Sequence, residues 1–184
     1  MEVAETGVEG LLVITLHSFA DDRGVIREFY RESAWRDAGL PVLGPWAQFN
    51  VTDTGAGTIR GLHGEAMHKL VGVASGEAFG AYVDLREGSS TFRKVETVPL
   101  RVGTQVLVPN GVCNGFQATS DGGCAYLYCF DREWQQGMEG VAVNALDPEL
   151  GIAWPVPVDP DDPAKLSARD RSLPTLAEVL ADRS

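Results

Sequence analysis

Cysteine, basic residues and long apolar runs are all scarce in this chain, and each shortage removes a class of function. Only three cysteines occur in 184 residues, Cys113, Cys124 and Cys129. Their number is odd, and neither a CxxC pair nor zinc-finger spacing is present, so neither a disulfide framework nor a structural zinc is implied. They read as small, reduced core residues. Lys and Arg number 15 against 26 Asp and Glu, for a formal net charge of -11. Without a clustered basic stripe the surface does not suit the backbone of a nucleic acid, although a few arginines in a pocket can still hold a small anion. No apolar run approaches the ~20 residues of a membrane span. The amino terminus also lacks the basic region and apolar core of a signal peptide, so the expectation is a cytoplasmic protein without membrane contact. No internal repeat is visible.

What the chain does have is short strands. Its length suits one well-buried domain, residues 1–184, with a core over about 10–155 and a C-terminal arm over 156–184. "GLLVITL" (10–16) reads as a strand, and "FADDRGVIREFY" (19–30) as strand, turn, strand. "RESAWRDAGL" (31–40) predicts a short helix, with Ser33 as its cap and Gly39 as its end. From Trp46 onward, apolar stretches such as "KLVGVASG", "TQVLVPNG" and "CAYLYCF" alternate with turn residues and no helix intervenes. That spacing predicts an all-β sandwich or jelly roll rather than a parallel α/β sheet. After Trp154 the chain turns rich in Pro and Asp, then helical at "LPTLAEVL". Proline lacks the ladder donor, so this segment should cross the surface and dock a short terminal helix. Trp134 and Trp154 read as packing residues.

The chemistry-bearing stretch is "IRGLHGEAMHKLV", residues 59–71. Strict strand alternation puts His63 and Glu65 on one face and Arg60, Leu62 and Gly64 on the other, unless Gly61 and Gly64 permit a bulge. His63 can be a base, a metal ligand or a structural residue. A metal site would draw on His63, Glu65 and His68, but the later "PNGVCNGF" offers the neutral amide of Asn114 where a further ligand is needed. An amide is a poor ligand for a transition metal, so no metal and no other cofactor is expected. Lys69 suits the solvated start of a strand, Arg23 a turn, and Gln48 and Asn50 satisfied sheet polar groups. Asp170 suits a cap for a helix near Leu173.

Seven ordered blocks carry a resemblance: "FADDRGVIREFY", "AQFN", "TIRGLH", "KLVGVASGEAFGAYVDLREGSSTF", "VLVPNGVCNGF", "DPELGIAWP" and "LSARD". In this order they resemble the dTDP-4-dehydrorhamnose 3,5-epimerase family, the enzymes that epimerise nucleoside-diphosphate 4-keto-6-deoxyhexoses. The match runs over roughly residues 10–175. The resemblance implies a cupin-type jelly-roll β-sandwich with short peripheral helices and a Pro-rich C-terminal segment. It also implies a homodimer exchanging an N-terminal strand, a metal-free isomerase, and a role in deoxysugar biosynthesis. By resemblance His63 is the base, Asp170 fixes its tautomer, and Lys69 lies beside the keto oxygen to stabilise an enolate. Arg60, Gln48, Asn50, Asn114, Tyr128 and Trp134 match pocket positions. Phe19, Arg23 and Glu28 lie in the block that reaches the nucleotide, often across the dimer.

Three departures from the family pattern stand out. Asn114 replaces a histidine in the Gly-Phe block and cannot shuttle a proton. Trp134 occupies the place read for the opposite-face tyrosine acid, and an indole does not give up its proton; Tyr126 and Tyr128, alternating on one strand, are the substitutes. The loop between His63 and Lys69 is several residues shorter. The expected activity is therefore epimerisation at C3, C5 or both. Its competitors are a relative recruited to another enolisable ketone, for cyclisation, elimination or a one-face proton shift, and a non-catalytic sugar-binding jelly roll.

Overall fold

Short apolar runs separated by Gly, Asp and Pro turns become thirteen strands in the computed structural model, which describes residues 1–40 and 46–182. In chain order they are β1 (Glu2–Glu5), β2 (Leu12–Thr15), β3 (Ser18–Asp21), β4 (Gly24–Arg27), β5 (Gln48–Thr54), β6 (Ile59–Glu65) and β7 (Lys69–Ser75). There follow β8 (Ala78–Asp84), β9 (Val95–Leu100), β10 (Thr104–Val108), β11 (Val112–Ala118), β12 (Cys124–Phe130) and β13 (Gly140–Ala142). Helices are brief: α1 (Glu32–Asp37), α2 (Ala168–Arg171) and α3 (Leu176–Ala181). A six-stranded sheet, ordered β1-β2-β10-β7-β12-β5, faces a five-stranded sheet, ordered β13-β6-β11-β8-β9, while β3 and β4 form a separate hairpin. The pairings are antiparallel, as the jelly-roll expectation requires.

The central strands of both sheets are covered on both faces, which explains why they read as continuous apolar runs rather than a clean alternation. Between the sheets, Val71, Val73, Val106 and Tyr126 pack against Tyr82, Leu100, Val112 and Phe116. Outside the six-stranded sheet, Ile14, Leu70, Leu107 and Cys129 are capped by Trp35 of α1 and by Leu40. Outside the five-stranded sheet, Ile59, Leu62, Val83 and Cys113 receive Val143, Leu166, Leu176 and Val179. The C-terminal arm thus crosses one outer face and docks α3 there. Each fully buried Leu or Ile in these layers contributes roughly 1.5 to 3 kcal/mol. The three cysteines are all buried, and none forms a disulfide among the described residues.

Three local features differ from the sequence reading. The first helix begins at Glu32, with Arg31 at its cap position and no side-chain cap, so Ser33 lies inside the first turn instead of capping it. Gly39 does end that helix, with φ of +70°, a conformation natural to glycine. Strands β1 and β13 carry no hydrophobic signature of their own, because β1 is exposed throughout and β13 is three residues long. Register against β2 and β6, not composition, makes them strands.

Candidate active site

The segment 59–71 departs from strict alternation because of a bulge. On β6, His63 faces Asn114 of β11 and Arg60 faces Phe116, so Gly61 and Leu62 together oppose Gly115 alone. The extra residue turns Arg60 onto the same face as His63. Ile59 and Leu62 meanwhile bury into the outer layer. Only glycines fit at this crossing. A Cβ on Gly61, whose φ is +114°, would meet Gly115 Cα at 2.7 Å, and one on Gly115 would meet Arg60 O at 2.5 Å.

His63 does not stand alone. Its Nε2 lies 2.9 Å from Asp170 Oδ1, and the second carboxylate oxygen accepts from the Gly61 amide at 3.4 Å. A carboxylate can only accept, so Nε2 carries the proton and Nδ1 keeps the lone pair. Asp170 is not a helix cap: Ser167 caps α2 and Thr175 caps α3. The arm that carries Asp170 is laced to the barrel through Ile59 N to Lys165 O at 2.8 Å and Thr58 Oγ1 to Ala164 O at 2.8 Å. Burial alone would raise the Asp170 carboxyl, but its bonds to His63, the Gly61 amide and Ser167 hold it below its ordinary value.

Lys69 opens β7 on the facing sheet and is only 4% exposed. Its ammonium donates to His63 O at 3.1 Å, to Asn114 Oδ1 at 2.6 Å, and to the Glu65 carboxylate in a close ion pair. All three of its N–H groups are therefore engaged. The shortened loop keeps Lys69 beside His63, and a second pair fastens that turn, with the His68 ring and backbone amide both on Asp131 at 2.9 and 3.0 Å. His63, Glu65 and His68 thus each serve a different partner and do not converge on one point.

These groups line a cavity of about 650 Å³ between the two sheets. His63, Asp170, Lys69, Arg60, Gln48, Asn50, Asn114, Tyr128 and Trp134 all face it. The β5 alternation turns Gln48, Asn50 and Thr52 inward and leaves Phe49 and Val51 outside on an edge strand. Tyr128 stands on β12, in the sheet opposite His63, with its hydroxyl 2.5 Å from Thr52 Oγ1. Tyr126, its neighbour two residues back, is buried and stacked on Phe116 at 3.7 Å, outside the lining. Trp134 is 43% exposed and lines the cavity rim, with its backbone amide donating to Gln48. Trp154 does pack, edge-on against Phe79.

Phe19, Arg23 and Glu28 lie outside this cavity in the single chain. Arg23 pairs with Asp21, Glu28 with Arg31, and Phe19 is 68% exposed. The sequence reading passed over Arg169 and Thr52, and it weighed Glu65 only as a metal ligand. Arg169 adjoins Asp170 in "LSARD", and Thr52 shares the inward face of Asn50, so motif adjacency and strand period were the signals available. Among the described residues, neither Arg60 nor Arg169 has an acidic partner within ion-pair distance, which leaves two free cations at the cavity of a chain whose net charge is -11. No described helix is long and apolar enough to cross a membrane.

Comparison with known proteins agrees with this geometry. The family model described as dTDP-4-dehydrorhamnose 3,5-epimerase matches residues 5–178. A dTDP-4-dehydrorhamnose 3,5-epimerase of Streptomyces griseus is 34% identical over 94% of this chain and 85% of its own length. A dTDP-4-dehydro-6-deoxyglucose 3-epimerase of Streptomyces bikiniensis is also 34% identical, over 88% of this chain and 81% of its own. Among solved structures, a 4-keto-6-deoxy sugar epimerase from the novobiocin biosynthetic gene cluster of Streptomyces spheroides superposes with a TM-score of 0.87 at 32% identity, covering 100% of this chain and 91% of that one. Fold, ordered motifs and relatives converge, and the chain belongs to the dTDP-4-dehydrorhamnose 3,5-epimerase family.

Proposed function

We propose that this protein epimerises a dTDP-linked 4-keto-6-deoxyhexose at C3, C5 or both, with His63 as the base. The observation that carries this reading is the 2.9 Å contact between His63 Nε2 and Asp170, which leaves Nδ1 available inside a cavity that also holds a phenol on its opposite wall. Nδ1 removes the proton from a carbon beside the ketone, and the bonding pair moves toward the keto oxygen as an enolate. The Lys69 ammonium stabilises that charge. Tyr128, not Trp134, delivers a proton to the opposite face of the ring, and solvent returns the imidazolium and the phenolate to their starting states. No cofactor enters the scheme.

Arg60 and Arg169 suit the diphosphate, since their charges are not cancelled by neighbouring acids. Gln48 and Asn50, hydrogen-bonded at 3.2 Å, present amides to sugar hydroxyls. Phe19, Arg23 and Glu28 join the nucleotide site in a homodimer whose β3–β4 hairpin reaches the partner cavity. The exposed Phe19, Val25 and Ile26 on that hairpin, and Phe49 and Val51 on edge strand β5, support such an interface.

Solvent deuterium incorporation into dTDP-4-keto-6-deoxyglucose, followed with product configuration, tests the scheme. The native protein should exchange and invert, His63→Ala should lose exchange, and Tyr128→Phe should exchange with inversion reduced at least about a hundredfold, the scale of losing one acid. Absence of exchange in the native protein sinks the epimerase reading. Exchange without inversion in the native protein identifies a one-face proton shift instead.

A further inference from the structure

Glu65 is a buried-edge carboxylate in the cavity wall that the scheme above leaves without a task. It sits two residues from His63 on the same strand face and forms a close ion pair with Lys69. We propose that Glu65 is a positioning residue that acts through Lys69, as the counter-charge that keeps the buried ammonium charged and aimed into the cavity. The inference rests on the role given to Lys69 above.

The surroundings of Lys69 single out Glu65 for this task. Burial disfavours a charged amine, so an ammonium this deep needs an anion or it gives up its proton. The other two acceptors, His63 O and Asn114 Oδ1, are neutral. Charged and titratable groups face the same space from each neighbouring element: His63 and Arg60 on β6, Tyr128 on β12, and Arg169 and Asp170 on α2. Asp170, the other carboxylate in the lining, is committed to His63 and the Gly61 amide. Glu65 is thus the single acid within ion-pair distance of Lys69 among the described residues. The coupling acts in both directions: burial pushes the Glu65 carboxyl up, yet the Lys69 ammonium outweighs it and holds that carboxyl below its ordinary value.

The geometry also limits how the substrate oxygen enters. Every Lys69 N–H already has an acceptor, so the keto oxygen must replace one of them. Asn114 is the neutral side chain of the three and can turn aside, whereas losing the Glu65 contact would separate charges in a dry site. Glu65 therefore fixes which N–H is surrendered, and Asn114 is the acceptor that gives way.

The test is the pH profile of deuterium wash-in, a half-reaction that needs His63 and Lys69 but not the opposite-face acid. In Glu65→Gln the amide still accepts from Lys69 but brings no counter-charge, so the wash-in that remains should be confined to lower pH. Its alkaline limb should move at least about one pH unit toward acid, a tenfold loss at the pH of the native midpoint, with the acid limb unmoved. Glu65→Asp keeps the charge on a shorter stem, and should restore the alkaline limb while lowering the plateau. Circular dichroism and urea unfolding confirm that the variants are folded. A uniform loss across pH in Glu65→Gln, or an unmoved profile, overturns the proposal and makes Glu65 a structural residue. Lys69→Met separates the two readings. Native-rate wash-in in that variant removes the enolate role of Lys69 itself, whereas slowed wash-in beside an unshifted Glu65→Gln profile removes only the role of Glu65.

Discussion

Replacing Asp170 by Asn should damage the reaction more than replacing it by Ala, although Asn is the better fit. In the native site one carboxylate oxygen takes the Gly61 amide and the other takes His63 Nε2. An Asn side chain has one oxygen and one NH₂, and the Gly61 N–H requires the oxygen. Its NH₂ then points at Nε2, which must become an acceptor, and the ring proton moves to Nδ1. The nitrogen that should take the proton from carbon is thereby blocked. Ala leaves Nε2 without a protein partner and both tautomers accessible. General-base assistance is worth about a hundred to ten thousand-fold, so Ala should fall near the lower end and Asn near the upper, a barrier increase of about 5 kcal/mol for Asn. The charge also enters stability. The Asp170 carboxyl is held below its unfolded value, so the native protein has a contribution present above that unfolded value and lost as pH falls through the lower folded one. The Asn variant lacks it, and its acid unfolding should be less steep. Steady-state epimerisation with urea unfolding from about pH 2 to pH 7 checks both halves. Activity of Asp170→Asn within threefold of native, or above that of Asp170→Ala at equal stability, would refute the tautomer argument.

Two further outcomes follow from the packing. Gly115→Ala puts a methyl within 2.5 Å of Arg60 O and 2.7 Å of Leu62 Cδ2, so β6 and β11 must separate at the bulge. The loss should be about 1 to 3 kcal/mol, as for other overpacked sites, with His63 displaced and activity reduced beyond the fraction unfolded; unchanged urea midpoint and rate would show that the strands yield freely. Asp84, fully buried, accepts from Arg86, Ser89 and Thr91, and although burial raises its carboxyl those bonds hold it far below the usual range. Asp84→Asn should cost about 3 kcal/mol at neutral pH, where the native bonds are intact. The penalty should shrink as pH falls from the ordinary carboxylate range, where the unfolded chain takes up its proton, toward the lower folded value, so a deficit independent of pH would contradict the assignment.

The β-sandwich was legible because apolar runs of strand length recur without helices between them, and the C-terminal arm because proline cannot join a ladder. The His63–Asp170 pair was legible only through motif resemblance, since 107 residues separate the partners. The bulge was foreshadowed by Gly61 and Gly64, but which residue it would displace depends on Gly115 in another strand. Glu65 escaped notice as a partner of Lys69 because strand alternation places it with His63 and says nothing of a lysine on the facing sheet. Phe19, Arg23 and Glu28 show the opposite limit: the pattern that singles them out belongs to a surface one chain leaves exposed. The cap expected at Ser33 lies two residues earlier, at Arg31, an error of the kind expected wherever a helix starts without a side-chain cap.

The arm that carries Asp170 gives this barrel a built-in completion check. His63 sits in the first half of the chain, on a strand whose sheet neighbours β11 and β13 come from the second half, and its ring is oriented only when the later arm has wrapped the outer face and seated α2. Without the arm the sandwich would keep Arg60 and the imidazole, but it would lose Arg169 and Asp170 from the cavity wall and with them the tautomer control. The same dependence persists in the finished molecule. Local release of the arm would part His63 from Asp170 without opening the layer between the sheets, so the proposed chemistry depends on how firmly the arm adheres as well as on how firmly the barrel holds.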